Sequence, residues 1–413
     1  MEKIEILFKR KICDNCIGRQ FAQLLSGFTN AERGRAIRTV VAGAIDAGIV
    51  SANDLDLSNF IGYNFRNKDV QEKMKGLEER KTACEVCGGI FEHLDEIAAR
   101  AVKKVSGLEF RTFLVGVRPK REILEAEEKL WEEFGISYCE PIKVELNREI
   151  GKRIESITTA KADLKMPDIS FLIDFNKNKI TYNIRSVFVF GYYQKIRRGI
   201  PQSRWGTPGK YKTSIEEEIG RHLLNFFDGG DHSFHGSGRE DIDALCLGWR
   251  PFVIEIHNPK KRSANLRDVE KKINRGKYVR VKSLRLVDMD VVRKIKEEHG
   301  NKEYVAVVAL SKPIKKSELG KLKQLVGQVE QRTPTRVSHR RSDLVRRRRV
   351  MRISTSFINS KKFKLRVRCD AGLYIKELIS GDKGRTKPSV SEILGQPARC
   401  EKLDVVWIEK PKI

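Results

Sequence analysis

The chain has 413 residues, 40% hydrophobic and 33% charged, with 82 Lys and Arg against 55 Asp and Glu, a formal net charge of +27. That length allows two or three domains with cores of their own, and neither a membrane-length apolar run nor the apolar core of a signal peptide is present. The expected partner is therefore a polyanion, nucleic acid rather than a membrane, and the expected location is cytoplasmic and reducing, where eight cysteines hold metal or pack instead of pairing.

In chain order, Cys13-Asp-Asn-Cys16 comes first, and a second pair, Cys84-Glu-Val-Cys87, ends a charged segment. A two-residue gap lets both sulfurs of a pair reach one tetrahedral ion, and two such pairs close the shell of a structural Zn²⁺ site. The separation of the pairs exceeds that of a compact zinc ribbon, yet two independent CxxC pairs favour metal over four packing thiols. The single cysteines Cys139, Cys246, Cys369 and Cys400 are expected to pack. Between the pairs, small and apolar residues recur at helical spacing over 30–46, predicting a buried helix with Asn30 as N-cap. Residues 110–180 alternate strand-like runs at 110–116 and 169–175 with helices over about 120–134 and 146–161, an α+β module. Arg118-Pro-Lys-Arg121 precedes the first of these helices, where cations oppose the helix dipole; they either serve a phosphate or are simply solvated.

The first domain is expected to span 1–180 and the second 181–413. Residues 187–190 read as a strand. Five cations and no acid follow between 191 and 210. Tyr192, Tyr193 and Trp205 are interleaved with them, so that cations can contact phosphates while rings stack on exposed bases. The alternative is a hairpin whose aromatics pack across strands. A capping-box-like start at Ser214 opens a short helix to Phe227. His232 and His235, lacking a clear third ligand, are expected to hydrogen-bond locally. Then comes Gly236-Ser-Gly-Arg-Glu-Asp-Ile-Asp243, where glycines permit a tight turn from which Arg239, Glu240 and Asp241 project. The buried strand at 252–256 holds that turn rigidly. Asp243, two residues on, shares a side with Asp241 if the backbone is extended, so spacing does not choose between them.

Residues 302–310 form an apolar strand with Tyr304 near its start, a core position by pattern. Between 312 and 368 stand 19 Lys or Arg against three acids. Within that stretch the quartet Arg346 to Arg349 is flanked by apolar residues, as at a strand edge, and is expected to contact phosphates. Cys369-Asp-Ala-Gly-Leu-Tyr-Ile-Lys376 runs from a strand end through a turn at Gly372 into a helix with Lys376 on its first turns.

Together these segments resemble the archaeal and eukaryotic tRNA pseudouridine synthases that carry a zinc-bearing THUMP-type accessory domain and modify uridines 54 and 55 of the T arm. The residues that carry the resemblance are Gly238-Arg-Glu-Asp-Ile-Asp243, Arg250-Pro-Phe252 with Glu255, Arg198-Gly-Ile-Pro-Gln202 with Trp205, Gly372-Leu-Tyr-Ile-Lys376 and Gly381-Asp-Lys-Gly-Arg-Thr386, together with the four CxxC cysteines. The resemblance implies an α+β protein: an N-terminal accessory domain with a zinc knuckle, then a mixed, mainly antiparallel sheet with a central cleft. It implies Asp241 as catalytic aspartate, Tyr304 as active-site tyrosine and Lys376 as basic partner of the aspartate. Arg239, Tyr374, Arg197, Arg198, Gln202 and Trp205 would touch the substrate, residues 191–205 forming a loop that reaches into tRNA. Zn²⁺ would be structural, catalysis would need no cofactor, and the protein would act as a monomer.

Two other readings stand beside it. A metal-dependent RNA nuclease would use Glu240, Asp241, Asp243 and His235 around Mg²⁺. A non-catalytic tRNA-binding chaperone would need only the basic surface and the zinc module, and would have no use for an acid loop that weakens RNA attraction.

Overall fold

The computed structural model describes residues 2–77, 83–207, 209–298, 300–340 and 342–410, and the chain divides into two compact units, Met1–Arg185 and Ser186–Ile413. The break follows the strand Lys179–Ile184, which a limit at residue 180 would cut. Among the described residues no helix is long and apolar enough to cross a membrane.

In the first unit the helices Asp14–Gly18 and Asn30–Asp46 cross at glycines. A Cβ at Gly18 would lie 1.8 Å from the carbonyl oxygen of Asn30, and one at Gly34 would lie 1.9 Å from that of Asp14. Backbones can approach this closely only where no side chain intervenes. The second helix is capped by Thr29, one residue before the expected Asn30, because Thr29 and Glu32 form a reciprocal capping box. Beyond the helix Leu94–Lys104, the strands β1 (Thr112–Arg118), β2 (Lys161–Ala162), β3 (Ile169–Asp174) and β4 (Lys179–Ile184) form a sheet of order β2-β1-β3-β4. β1 runs parallel to β2 and β3, and β4 is antiparallel. The helices Arg121–Phe134 and Ile142–Ile157 make the crossover. Alternation buries Phe113, Val115 and Val117 of β1 in one core with Ile142, Leu146, Ile150 and Ile154 of the second helix. That helix starts four residues earlier than its expected 146, since Pro141 supplies a preset φ at its N-cap, and it stops at 157, where Thr158 turns extended.

The second unit is built on one mixed, mainly antiparallel sheet. Its strands are β5 (Val187–Lys195), β6 (Asp231–Gly236), β7 (Leu245–His257), β8 (Val279–Val287), β9 (Lys302–Leu310), β10 (Gly327–Arg332), β11 (Val345–Asn359), β12 (Lys362–Cys369), β13 (Thr386–Lys387) and β14 (Ala398–Ile408). Their order is β13-β10-β11-β12-β9-β14-β7-β5-β8, with β6 paired on β7. Every pairing is antiparallel except β14 with β7, which run parallel and register only at Asp404 with Leu245 and Val405 with Cys246. This brief junction divides the sheet into halves with separate cores. One half packs Ala306, Val308, Leu365 and Val367 under the helix Ile375–Ser380. The other packs Ile254 and Ile256 against the helix Ile215–Phe227, and Val253 against the helix Met289–Glu297 on its opposite face.

The basic stretch after residue 190 departs from the expected loop. β5 extends to Lys195, so Tyr193 is fully buried among Phe234 and Phe252, and Tyr192 packs edge-on to Phe190. Tyr193 is not available to stack on a base, because cross-strand packing claims it, whereas Tyr192 is partly buried against Phe190 of its own strand. His232 and His235 likewise sit on a strand, β6, which their short, glycine-flanked run did not suggest.

Candidate active site

The loop between β6 and β7 ends at the junction of the two half-sheets, where Leu245 meets Asp404, and a buried polar network fixes its conformation. Glu240 and Arg250, each about 1% exposed at the side chain, form an ion pair at 3.0 Å. Arg250 NH1 also donates to the carbonyl of Ser237 at 2.9 Å. The Tyr193 hydroxyl donates to the Glu240 carboxylate at 3.0 Å, and Gln202 Nε2 donates to that hydroxyl at 2.8 Å and to the carbonyl of Gly238 at 2.9 Å. The buried ammonium of Lys195 donates to the carbonyls of Asp241 at 3.2 Å and Ile242 at 2.9 Å. Burial lowers its pKa, offset in part by Glu240. A loop so tied has little freedom, and this places the Asp241 carboxylate.

That carboxylate lines a cleft of about 410 Å³ with Tyr304, Lys302, Arg336, Arg346, Arg348, Tyr374 and Lys376. Lys376 Nζ lies 3.2 Å from Asp241 Oδ2 and 2.9 Å from Asp243 Oδ2, and Arg336 NH1 lies 3.6 Å from Asp241 Oδ1. Burial works to lower the Lys376 pKa, but the hydrogen bond to Asp243 and the charges of both aspartates outweigh it and raise the value. Burial works to raise that of Asp243, and the bond to Lys376 overcomes it and lowers the value. The two aspartates thus share one ammonium. They differ in position, for Asp241 is 36% exposed and lines the cleft, while Asp243 is 70% exposed and is absent from its lining.

Tyr304 packs against Cys246, Val405 and Ile408 and also lines the cleft, so it is both a core and a cleft residue; burial raises its pKa and keeps the phenol neutral. Tyr374 also lines the cleft, its backbone clamped by the buried Gln331 side chain through bonds of 2.8 and 2.9 Å. Arg239 and Arg197 are exposed, Arg239 at the cleft rim. Arg198 donates to the carbonyls of Asp243 and Leu403 and pairs with Asp404, and Gln202 belongs to the buried network. The side chains of Arg198 and Gln202 therefore brace the loop. Trp205 is 40% exposed, edge-on to Tyr211, with Lys210 Nζ 4.9 Å from its ring centre.

The acids do not converge as a nuclease would need. Glu240 is turned into Arg250, and His235 is bonded to Glu255 at 3.1 Å. Among the described residues, the cluster with metal-ligand geometry is Cys13, Cys16, Cys84 and Cys87, whose sulfurs lie within 4.8 Å of one another. Cys13 Sγ and Cys87 Sγ are 3.6 Å apart, close to the edge of about 3.8 Å that a tetrahedron with bonds of about 2.3 Å has. The backbone N–H of Cys13 points at Cys84 Sγ at 3.3 Å, and the buried Arg19 donates to Cys16 Sγ at 2.9 Å, as suits thiolates around a cation. These four residues can hold a metal ion.

Reasoning from sequence missed Arg336, Lys195, Lys302 and the buried pair. Arg336 has no local signal; it is one cation among many between 312 and 368. Arg250 and Glu240 are each readable in the sequence, but their pairing exists only in three dimensions.

The profile for the C-terminal region of Pus10 matches residues 188–409, and that for the archaeal Pus10 THUMP domain matches residues 97–174. The chain is similar to the tRNA pseudouridine synthase Pus10 of Pyrococcus furiosus, at 41% identity over 98% of this chain and 96% of that one. It is similar to the same enzyme of Methanothrix thermoacetophila at 39% identity, over 98% and 93% of the two chains. A solved Cbf5-Nop10-Gar1 complex aligns at 15% identity with a TM-score of 0.33, covering 52% of this chain and 48% of that one.

Proposed function

The chain belongs to the Pus10 family of tRNA pseudouridine synthases, and from that membership we propose that it isomerises uridine at position 54, position 55 or both in the tRNA T arm, with Asp241 as its catalytic carboxylate. The observation that carries this reading is the Asp241 carboxylate at the cleft wall, flanked by Lys376 and Arg336 at 3.2 and 3.6 Å. Two cations thus face the two oxygens of one carboxylate inside the cleft. The isomerisation breaks the N1–C1′ bond, turns the uracil and joins C5 to C1′; the C5 proton leaves and N1 gains one, so no electrons are exchanged. One charged carboxylate, acting as base or nucleophile, suffices. Tyr304 and Tyr374 are the rings against which an extruded uracil rests, and Arg239, Arg197 and Trp205 are the exposed groups available to RNA. Arg198 and Gln202 act through the loop they brace.

The first unit is the tRNA-binding accessory domain, held by one Zn²⁺ on Cys13, Cys16, Cys84 and Cys87, and the second is the catalytic domain. The protein works as a monomer in the cytoplasm. Pseudouridine release and tRNA affinity, measured in EDTA for Asp241→Asn and Asp243→Asn side by side, test the assignment. Asp241→Asn is expected to abolish product while binding tRNA as well or better, because one negative charge has left a positive cleft. Asp243→Asn is expected to be milder. An active Asp241→Asn, or a dead Asp243→Asn beside it, would reverse the roles.

A further inference from the structure

Strand alternation splits the basic run at 346–349 into two pairs with different surroundings. In the β10–β11 register, Val329 stands opposite Arg348 and Glu330 opposite Arg347. Val329 is buried, so Arg348 and Arg346 lie on the face of the sheet that carries the core and, beyond it, the cleft that both residues line. Arg347 faces the other way, ion-paired with Glu330 at 2.8 Å, and Arg349 is exposed on that same side.

Within the cleft the cations are unequal. Lys376 and Arg336 are answered by Asp241, Asp243 and Glu377. Among the described residues, Arg346 and Arg348 have no carboxylate within ion-pair distance. Their bonds go to neutral oxygens: Arg346 NH1 donates to Thr333 Oγ1 at 3.0 Å, and Arg348 donates through Nε to Ala371 at 2.9 Å and through NH1 to its neighbour's carbonyl at 2.8 Å. These bonds set the planes of two half-buried guanidiniums without neutralising them. The adjoining turn keeps one flank open, because a Cβ at Gly372 would come within 3.4 Å of Arg348 Nε. Part-buried charge without a counter-ion is costly unless an anion from outside completes it.

We propose that Arg346 and Arg348 grip the phosphodiester of the nucleotide whose base enters the cleft, holding the backbone while the base reaches Asp241. This rests on the reading of the cleft as the uridine site. Uracil is neutral and calls for hydrogen bonds, whereas paired planar forks with free N–H groups match phosphate oxygens. A fixed backbone also offsets part of the cost of extruding a stacked base.

The test compares Arg346→Gln/Arg348→Gln with Arg347→Gln/Arg349→Gln on tRNA at matched salt. The cleft-facing pair is expected to lose on the order of tenfold in kcat/KM per arginine, and the outward pair only a few-fold. Arg346→Lys/Arg348→Lys, which keeps the charge and the fold but not the fork, should fall between wild type and the glutamine pair. A tRNA with a neutral methylphosphonate at the target nucleotide should be a poorer substrate for wild type, with no further loss in the Arg346→Gln/Arg348→Gln protein. Equal losses from the two pairs, or full additivity of protein and phosphate changes, would overturn the grip while leaving the uridine site intact. A wild-type protein that forms no pseudouridine would overturn the uridine site itself, and the grip with it.

Discussion

Lys302 is the most deeply buried of the cations that line the cleft. It is 8% exposed, bonds the carbonyl of Gly300 at 3.1 Å, and has no carboxylate within ion-pair distance among the described residues. Burial first and then the nearby Arg250 lower its pKa to about 8. Because the folded value lies below that of the unfolded chain, the native state binds fewer protons between pH 8 and the ordinary lysine value of about 10.4. Stability therefore rises as pH climbs through that window, and below it the penalty is fully present, on the order of 3 kcal/mol. Lys302→Met is expected to be more stable than wild type at pH 7 by urea denaturation and to lose the rise above pH 8. Unchanged stability at pH 7 would mean that the ammonium is better solvated than its surroundings indicate. An unpaired buried charge next to Tyr304 fits a site where stability gives way to function.

At the scale of elements, two close approaches carry the architecture. The crossing of the helices Asp14–Gly18 and Asn30–Asp46 at Gly18 and Gly34 sets the backbone that presents Cys13 and Cys16. Gly34→Ala would force the helices apart against backbone atoms, a cost of about 1–3 kcal/mol or more. It should lower both thermal stability and the metal bound at the four cysteines, read by metal analysis of the purified protein. Cys84→Ser should do the same and weaken tRNA binding more than the chemical step. In the second unit, the loop between β6 and β7 leans on Glu240 and Arg250. Arg250→Met leaves a carboxylate buried and unpaired, which costs about 3–5 kcal/mol, whereas Glu240→Leu with Arg250→Met should regain most of that stability but not the activity. A double variant as active as wild type would show that the pair does not position Asp241.

The charge of the whole molecule, +27, predicts binding governed by phosphate contacts. The logarithm of the tRNA association constant should fall by about 0.7–0.9 per neutralised phosphate for each log unit of salt. Much of the excess lies between residues 312 and 368, yet part of it is answered internally: Arg336 by Glu377, Arg347 by Glu330 and Arg366 by Glu303. The slope should accordingly be shallower than a count of cations suggests. Affinity that hardly changes between low and physiological salt would mean that these strands carry a merely solvated charge.

Two kinds of information were legible in the sequence. Local chemistry was one: the CxxC spacing, the strand at 302–310, the helix opening at Ser214 and the glycine-flanked acid loop each follow from rules that act over a few residues. Resemblance was the other, and it marked Asp241, Tyr304 and Lys376, which line one cleft although they are spread over 136 positions of sequence. What only the tertiary structure decided were matters of pairing. Tyr193 belongs to the core because β7 and β6 bring Phe252 and Phe234 against it, and Arg198 and Gln202 turn inward because Asp404 and Gly238 accept their hydrogen bonds. The Arg346 to Arg349 run divides because strand alternation sends neighbours to opposite faces. A side chain's role depends on which groups the fold sets within a few ångströms of it, and for these residues those groups come from remote parts of the chain.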